Sequence, residues 1–338
     1  DADGNDVTEN YEITYVAGDL TITKRGLGEK KVTITANDNT VEYDGKPHGE
    51  NGYTSDNLAE GHSVESVIID GSQTNAGTYK DELVPRAAKI VDADGDDVTE
   101  NYEITYVACD LEIVSPDTVV VRIKGNSATV EYDGKPHEVN GYTVVSISNP
   151  LYTASDFGFA EGAAAHADGV DADTYPMNLT SESFVNKNAN FAKVSFIVED
   201  GTLTITKRGL GEKKVKVIAN DNTVEYDGKP HGENGHTDTY LAEGHSVKTV
   251  TIDGSQIDAG TYKDELVPHD AKIVDANGND VTKNYEITYV PGDLTITKRG
   301  AGEKKVTITA RDHTVGYNGK PHGENGYTST RIEDIGHT

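Results

Sequence analysis

The sequence predicts an all-β protein built of small tandem β-sandwich modules in an elongated array. Three observations carry that expectation. A motif recurs at a long, nearly fixed period; short alternating β-branched runs are separated by Asp-Gly and Asn-Gly pairs; and the apolar fraction is too low for one large core. The motif is Tyr-Asp-Gly-Lys-Pro-His, at Tyr43–His48, Tyr132–His137 and Tyr226–His231, returning as Tyr-Asn-Gly-Lys-Pro-His at Tyr317–His322. Its tyrosines are spaced by 89, 94 and 91 residues. Such a period suits units that each fold alone and is far too long for a solenoid repeat.

Taken in chain order, residues 1–24 read as the tail of a β module and 25–31 as a linker. Residues 32–114 form a first module, 119–206 a diverged second one, 207–214 a linker, and 215–297 a third module. A further linker, 298–305, leads to 306–338, the head of another module. Residues 32–114 and 215–297 align without a gap and are largely identical. Because 1–24 matches 92–115 and 306–338 matches about 32–63, the chain reads as a window on a longer repetitive polypeptide. Pairing the C-terminal head of one chain with the N-terminal tail of the next is disfavoured by counting, since the equivalent of 64–91 would still be missing.

Within a module, Val32–Thr35, Glu12–Val16 and Leu20–Thr23 alternate apolar with polar residues and are β-branched, the pattern of half-buried strands. Asp44-Gly45, Asn51-Gly52 and Asp70-Gly71 supply the positive φ that tight hairpin turns require. The runs at 11–16 and 20–23, joined by Ala17-Gly18-Asp19, read as a hairpin. Only Ala160–Ala167 offers a helical turn or two, and Gly162 weakens it. Asp258-Ala-Gly-Thr-Tyr262, with variants at Asn75–Tyr79 and Asp171–Tyr175, has the form of the tyrosine corner of immunoglobulin-like sandwiches, in which a core Tyr bonds back to main chain. An ordinary strand start after a Gly turn explains the same five residues. A β-grasp-like module is the rival fold, but it needs a packing helix, and Ser55–His62 barely allows one turn.

Composition narrows the function classes. The 338 residues carry 58 acidic and 30 basic side chains, a formal net charge of -28. A chain of that charge repels phosphate backbones, and no basic patch is long enough to reverse this, so nucleic acid is not an expected partner. No apolar run approaches the roughly 18 residues of a membrane span, and the residues shown contain no signal peptide or sorting motif. Cys109 alone forms no internal disulfide; it stands where the equivalent positions carry Gly18 and Gly292, and reads as a drifted turn residue.

Candidate sites are sparse. The histidines His48, His137, His231 and His322 follow Lys-Pro without a cluster at metal-ligand spacing, and read as fixed loop residues. No nucleophile elbow, phosphate loop or His-Glu-x-x-His occurs, so no catalytic residue and no enzyme activity is expected. Asp92, Asp94 and Asp96 alternate around Gly95, the kind of oxygen pattern that folds around Ca²⁺. Asp1-Ala-Asp3-Gly-Asn5 repeats the pattern, and Asp275-Ala-Asn277-Gly-Asn279 has lost two charges. The Gly falls at position four rather than six, and a solvated Asx turn accounts for all three copies. Apart from that Ca²⁺ candidate no cofactor is expected.

The linkers are more informative. Lys24-Arg-Gly-Leu-Gly-Glu-Lys-Lys31 recurs at 207–214 and, with Ala301 for Leu, at 298–305. Such a cationic Gly-containing segment between acidic modules is either a flexible hinge or, through attraction to its neighbours, a stiffer joint. The shorter Ser115-Pro-Asp-Thr118 is expected to be more rigid. Compact-domain scaling gives modules about 30 Å across and a rod of roughly 100–140 Å.

The combination of Val-Glu-Tyr-Asp-Gly-Lys-Pro-His, Ala-Gly-Thr-Tyr and Asn-Tyr-Glu-Ile-Thr-Tyr-Val…Leu-Thr-Ile-Thr-Lys resembles the YDG/MBG-type repeat modules of large bacterial surface proteins. The resemblance covers essentially the whole chain. It implies an extracellular location at the cell surface or wall, attachment elsewhere in the polypeptide, and a stalk or adhesin role. Its partners would be neighbouring modules, with self-assembly into fibres or a host glycan or protein beyond them. The second module departs from the pattern through Ser146–Gly169. An alternative function therefore centres on 119–206 as a glycan- or host-protein-binding module, with Tyr152, Phe157 and Phe159 as the first surface to test.

Overall fold

A computed structural model describes residues 1–28, 30–300, 305–323 and 326–330. Part of the first linker (Glu29), residues 301–304 of the third, and 324–325 and 331–338 of the C-terminal head lie outside the described residues. The protein is all-β, and the described helices are 3-10 turns of three residues each. The packing helix that a β-grasp module requires is therefore absent among the described residues.

Module 1 has seven strands: β1 (Val32–Ala36), β2 (Asn39–Glu42), β3 (Tyr53–Asp56), β4 (Ser63–Asp70), β5 (Gly77–Val91), β6 (Ile104–Val107) and β7 (Cys109–Val114). They form two sheets, ordered β3–β1–β6 and β2–β7–β5–β4. The alternation of the sequence appears directly in β1, whose Val32, Ile34 and Ala36 are buried while Thr33 and Thr35 are only partly so. Two apolar clusters result. One joins Ala36, Leu83, Leu111 and Ile113, and the other joins Val32, Ile90 and Tyr102.

The corner motif is a true tyrosine corner. Tyr79 packs against the first cluster and its hydroxyl donates to Asn75 O at 2.8 Å. The Tyr175 and Tyr262 hydroxyls donate to Asp171 O and Asp258 O, each at 3.0 Å. With two small sheets in module 1 and again in module 3, this fits tandem immunoglobulin-like modules.

Three local expectations are corrected. The runs at 104–107 and 109–114 are strands but not a hairpin. β6 pairs in parallel with β1, while β7 pairs in parallel with β2 and antiparallel with β5. A single residue, Ala108, lets the chain change sheets, so each run finds its partner far away in sequence. Residues 11–24 repeat that sequence but form no strand. The glycines after Asp44, Asn51 and Asp70 do adopt positive φ, yet the loops around them are wider than two-residue hairpins. Finally, 161–165 is irregular and His166–Gly169 is a strand, because Ala167 is buried opposite Val139 rather than on a helix face.

β5 spans 15 residues because it serves two partners, β7 with its first half and β4 with its second. Asp81 breaks the register there with φ 51°, and its N–H is held by Asp110 Oδ1 at 2.9 Å. Asp264 repeats this in module 3, held by Asp293.

The middle module supplies β8 (Val119–Gly125), β9 (Ala128–Glu131), β10 (His137–Asn140), β11 (Tyr142–Ile147), β12 (Phe157–Phe159), β13 (His166–Gly169), β14 (Thr174–Pro176), β15 (Phe184–Asn186), β16 (Val194–Glu199) and β17 (Thr202–Thr206). Its β9–β17–β14 sheet corresponds to β2–β7–β5 of module 1. Module 3 repeats module 1 through β18 (Val215–Ala219), β19 (Asn222–Glu225), β20 (His236–Thr239), β21 (Ser246–Asp253), β22 (Gly260–Val274), β23 (Ile287–Val290) and β24 (Gly292–Thr297), with the same two sheet orders. In the C-terminal head, β25 (Thr307–Ala310) pairs antiparallel with β26 (Tyr327–Thr330).

The chain forms two compact units. One comprises 1–122, 146–160 and 184–197, and the other 123–145, 161–183 and 198–338. Modules 1 and 3 each lie whole within a unit, and the middle repeat contributes to both.

Candidate functional site: the joints between modules

Each unit contains one joint between the middle repeat and a flanking module, and the two joints are built alike. In the first unit, Asn190 Oδ1 accepts the Ala76 N–H at 2.8 Å, and its Nδ2 donates to Asn75 Oδ1 at 3.2 Å. The adjoining Phe191 meets Tyr43 edge to face, with ring centroids 5.5 Å apart and planes at 83°. In the second unit, Asn284 Oδ1 accepts the Ala172 N–H at 2.8 Å, and its Nδ2 donates to Asp171 Oδ1, also at 2.8 Å. Tyr285 meets Tyr132 at 5.5 Å and 81°. Thus the Tyr of the Tyr-Asp-Gly-Lys-Pro-His motif and the first two residues of the corner form a receiving face. An Asn–aromatic pair on the following module is the hook.

Physical need explains the parts. A hook residue must satisfy a main-chain N–H that no strand partner reaches, and an amide does this while donating in turn. The aromatic edge-to-face contact adds roughly 0.5–1.5 kcal/mol beyond area burial. Asn284 is fully buried, whereas its counterpart Asn101 in module 1 is exposed. Lys283 adds an ion pair to Asp171 Oδ2 at 2.8 Å. Lys283 and then Asn284 hold the Asp171 carboxyl below the usual carboxylate range.

The cationic linker is part of the second joint. Arg208 Nε donates to Tyr240 O, at 2.5 Å, in module 3, and a second guanidinium nitrogen donates to Tyr132 O, at 3.3 Å, in the middle module. Gly209 N–H donates to Glu131 Oε1 at 3.2 Å. Of the two readings of this segment, these bonds favour the stiffer joint.

A histidine completes the second joint. Tyr285 OH accepts the Ala242 N–H at 3.1 Å and shares a second hydrogen bond with His245 Nδ1, 2.8 Å away. The His245 ring also lies against Tyr132 at 5.9 Å. Burial, followed in size by the Asp275 and Arg208 charges acting in opposite directions, leaves the imidazole below its ordinary value. Burial likewise pushes the Tyr285 hydroxyl up to about 12. A histidine depressed in the folded state binds fewer protons there than when exposed, so its effect opposes folding as pH falls. Above about pH 7 that penalty is absent; it grows as pH drops through 6.5 toward the depressed value. Thermal melting of wild type and His245→Gln at pH 7.5 and 5.5 checks this. The wild type should lose more on acidification. His269, raised by its Asp270 and Asp253 partners, acts in the opposite sense but is common to both proteins.

The other sequence candidates fall elsewhere. Tyr152 and Phe157 are 2% and 4% exposed. Both are core residues: Tyr152 stacks on Phe157 and meets Phe191 edge on at 5.1 Å, while Phe157 packs on Phe184 and Phe196. Phe159 alone reaches the surface, stacked on Phe184. These rings make a core continuous with the first joint, not an exposed platform. Asp92 Oδ1 accepts the N–H groups of Asp94 and Asp96 at 3.0 and 2.9 Å, an Asx turn held by its own backbone. Among the described residues no group of three or more His, Cys, Asp or Glu side chains is placed to hold a metal ion. Each of His48, His137 and His231 bonds through Nε2 to the Asp four residues earlier at 2.8 Å, which staples the loop. Cys109 packs beside the first cluster, and burial pushes its thiol up.

The joint residues were not singled out from sequence, though a signal was present. Asn-Tyr recurs at Asn10, Asn101 and Asn284, and Asn-Phe at Asn190. A repeated polar residue beside a repeated aromatic, outside any alternating run, is kept for something other than a strand face.

No family model and no curated protein matches the chain. Among solved structures it is similar to the N-terminal four Ig domains of Dscam1. Against isoform 9.44 (with zinc), identity is 9%, coverage 79% of this chain and 73% of the other, and the TM-score 0.18. Isoform 1.9 gives 9%, 80%, 73% and 0.16, and isoform 7.44 gives 10%, 80%, 73% and 0.15. At those scores the likeness carries no argument about role.

Proposed function

We propose that this chain is a stalk or adhesin repeat region of a large bacterial surface protein, whose work is mechanical spacing outside the cell. The observation that carries this reading is the repeated joint: the same Asn–aromatic hook sits on the same corner twice, and at the second joint Arg208 of the linker is fastened to both neighbours. Such joints fix the angle between modules and transmit load, and they use the residues that recur along the chain. The resemblance to YDG/MBG-type arrays supports the extracellular, cell-surface setting and the absence of a catalytic role. Solution scattering of the purified chain tests the reading. A spacer should give a maximum dimension of roughly 100–140 Å, from modules about 30 Å across, whereas a single globule of this length would measure nearer about 55 Å. The smaller value would overturn it.

A further inference from the structure

The receiving face is also present on module 3. Asp258 and Ala259 occupy the positions of Asp171 and Ala172, and the Tyr262 corner is formed as in the occupied joints. Beside it lies a shallow cavity of 370 Å³ lined by Ala259, Gly260, Thr261 and residues 295–298. No described residue hydrogen-bonds to the Ala259 N–H or the Asp258 carboxylate. Gly300 N–H already donates to Glu225 Oε1 at 3.1 Å, as Gly209 does to Glu131. The linker side of this joint is therefore set as it is at the second joint.

What differs among the joints is charge. At the first, the corner begins with Asn75 and the hook is preceded by Ala189, a neutral pair. At the second, the corner begins with Asp171 and the hook is preceded by Lys283, which pairs with it. In module 1 the hook reads Glu100-Asn101-Tyr102. Opposite an Asp corner, Glu100 would stand where Lys283 stands and set carboxylate against carboxylate.

We propose that these two positions form a matching code, so that the Asp258 face of module 3 docks another module of this repeat type whose hook reads Lys–Asn–aromatic. A Glu–Asn–aromatic module leaves that joint loose. The inference rests on the joints being functional couplings, and it adds what each will accept. Lys283 is well exposed, so the pair biases the joint rather than making it: replacing attraction by repulsion is worth about fivefold in the closed-to-open ratio.

The test uses the full chain and amide hydrogen exchange at Ala172, whose N–H is covered only by Asn284 Oδ1 in the closed joint. Lys283→Glu places a module 1 hook against an Asp corner and should speed Ala172 exchange about fivefold, with the amides of Val217 and Leu294 in module 3 unchanged. Adding Asp171→Asn recreates the neutral corner of the first joint and should restore most of the protection. Unchanged exchange in Lys283→Glu, or failure of the added Asp171→Asn to recover protection, would overturn the code. The hook itself is probed separately by Asn284→Ala. A silent Asn284→Ala would remove the joint, whereas a silent Lys283→Glu beside an active Asn284→Ala removes only the code.

Discussion

Asn284→Ala is expected to raise amide exchange at Ala172 about ten- to hundredfold while the module cores keep their protection. The substitution leaves the Ala172 N–H without its acceptor and Asp171 Oδ1 without its donor. Groups left unsatisfied in a buried site cost about 1–3 kcal/mol, and 1.4 kcal/mol is a factor of ten in population. Because Asn284 is fully buried, water cannot replace the lost bonds without opening the joint. The same change at exposed Asn101 should have almost no effect on module 1, which gives an internal control. Exchange measured by NMR on both variants decides the matter. Equal, small effects at the two positions would mean that the hook contributes nothing.

The second large effect is expected inside one linker. Gly209 has φ +97°, and a Cβ there would stand 2.5 Å from Glu286 O; at Gly211 a Cβ would meet nothing within 4 Å. Gly209→Ala should therefore destabilise the folded joint and the module start behind it by about 3 kcal/mol, from left-handed backbone strain plus a main-chain clash. Gly211→Ala should be nearly silent. For a unit of module size this corresponds to a fall in melting temperature of about 10–20 °C, read by circular dichroism. The linker glycines look equivalent in the sequence, and only the first faces another segment's carbonyl, that of Glu286. A large effect at Gly211, or none at Gly209, would contradict the joint described above.

Much of the fold was legible because it follows from local chemistry. Alternation in Val32–Ala36 fixed which residues enter the core. The Asp-Ala-Gly-Thr-Tyr pattern offered a hydroxyl bonding back to main chain beside an ordinary strand start, and the Tyr79, Tyr175 and Tyr262 bonds four residues back chose the first. The joints were not legible in the same way. Asn190 and Ala76 are far apart in sequence, and nothing about either residue alone names the other. The aromatic cluster shows the reverse error: Tyr152 and Phe157 stand in a divergent insertion and suggest a binding platform, yet packing with Phe184, Phe191 and Phe196 buries them.

Repetition, β character and module length were determined by sequence alone, because each depends on patterns within a few residues or on simple counting. Strand identity was decided by tertiary structure. Ile13-Thr-Tyr-Val16 and Ile104-Thr-Tyr-Val107 are the same four residues, yet Tyr15 is 86% exposed against 37% for Tyr106. Leu20 is 87% exposed, while the matching Leu111 is fully buried. The difference is the partner: 104–107 lies beside β1 and Leu111 between β2 and β5, and the tail pairs with no strand among the described residues. A strand satisfies its backbone through another segment, so a sequence can propose one, but only the fold supplies the other half of its hydrogen bonds.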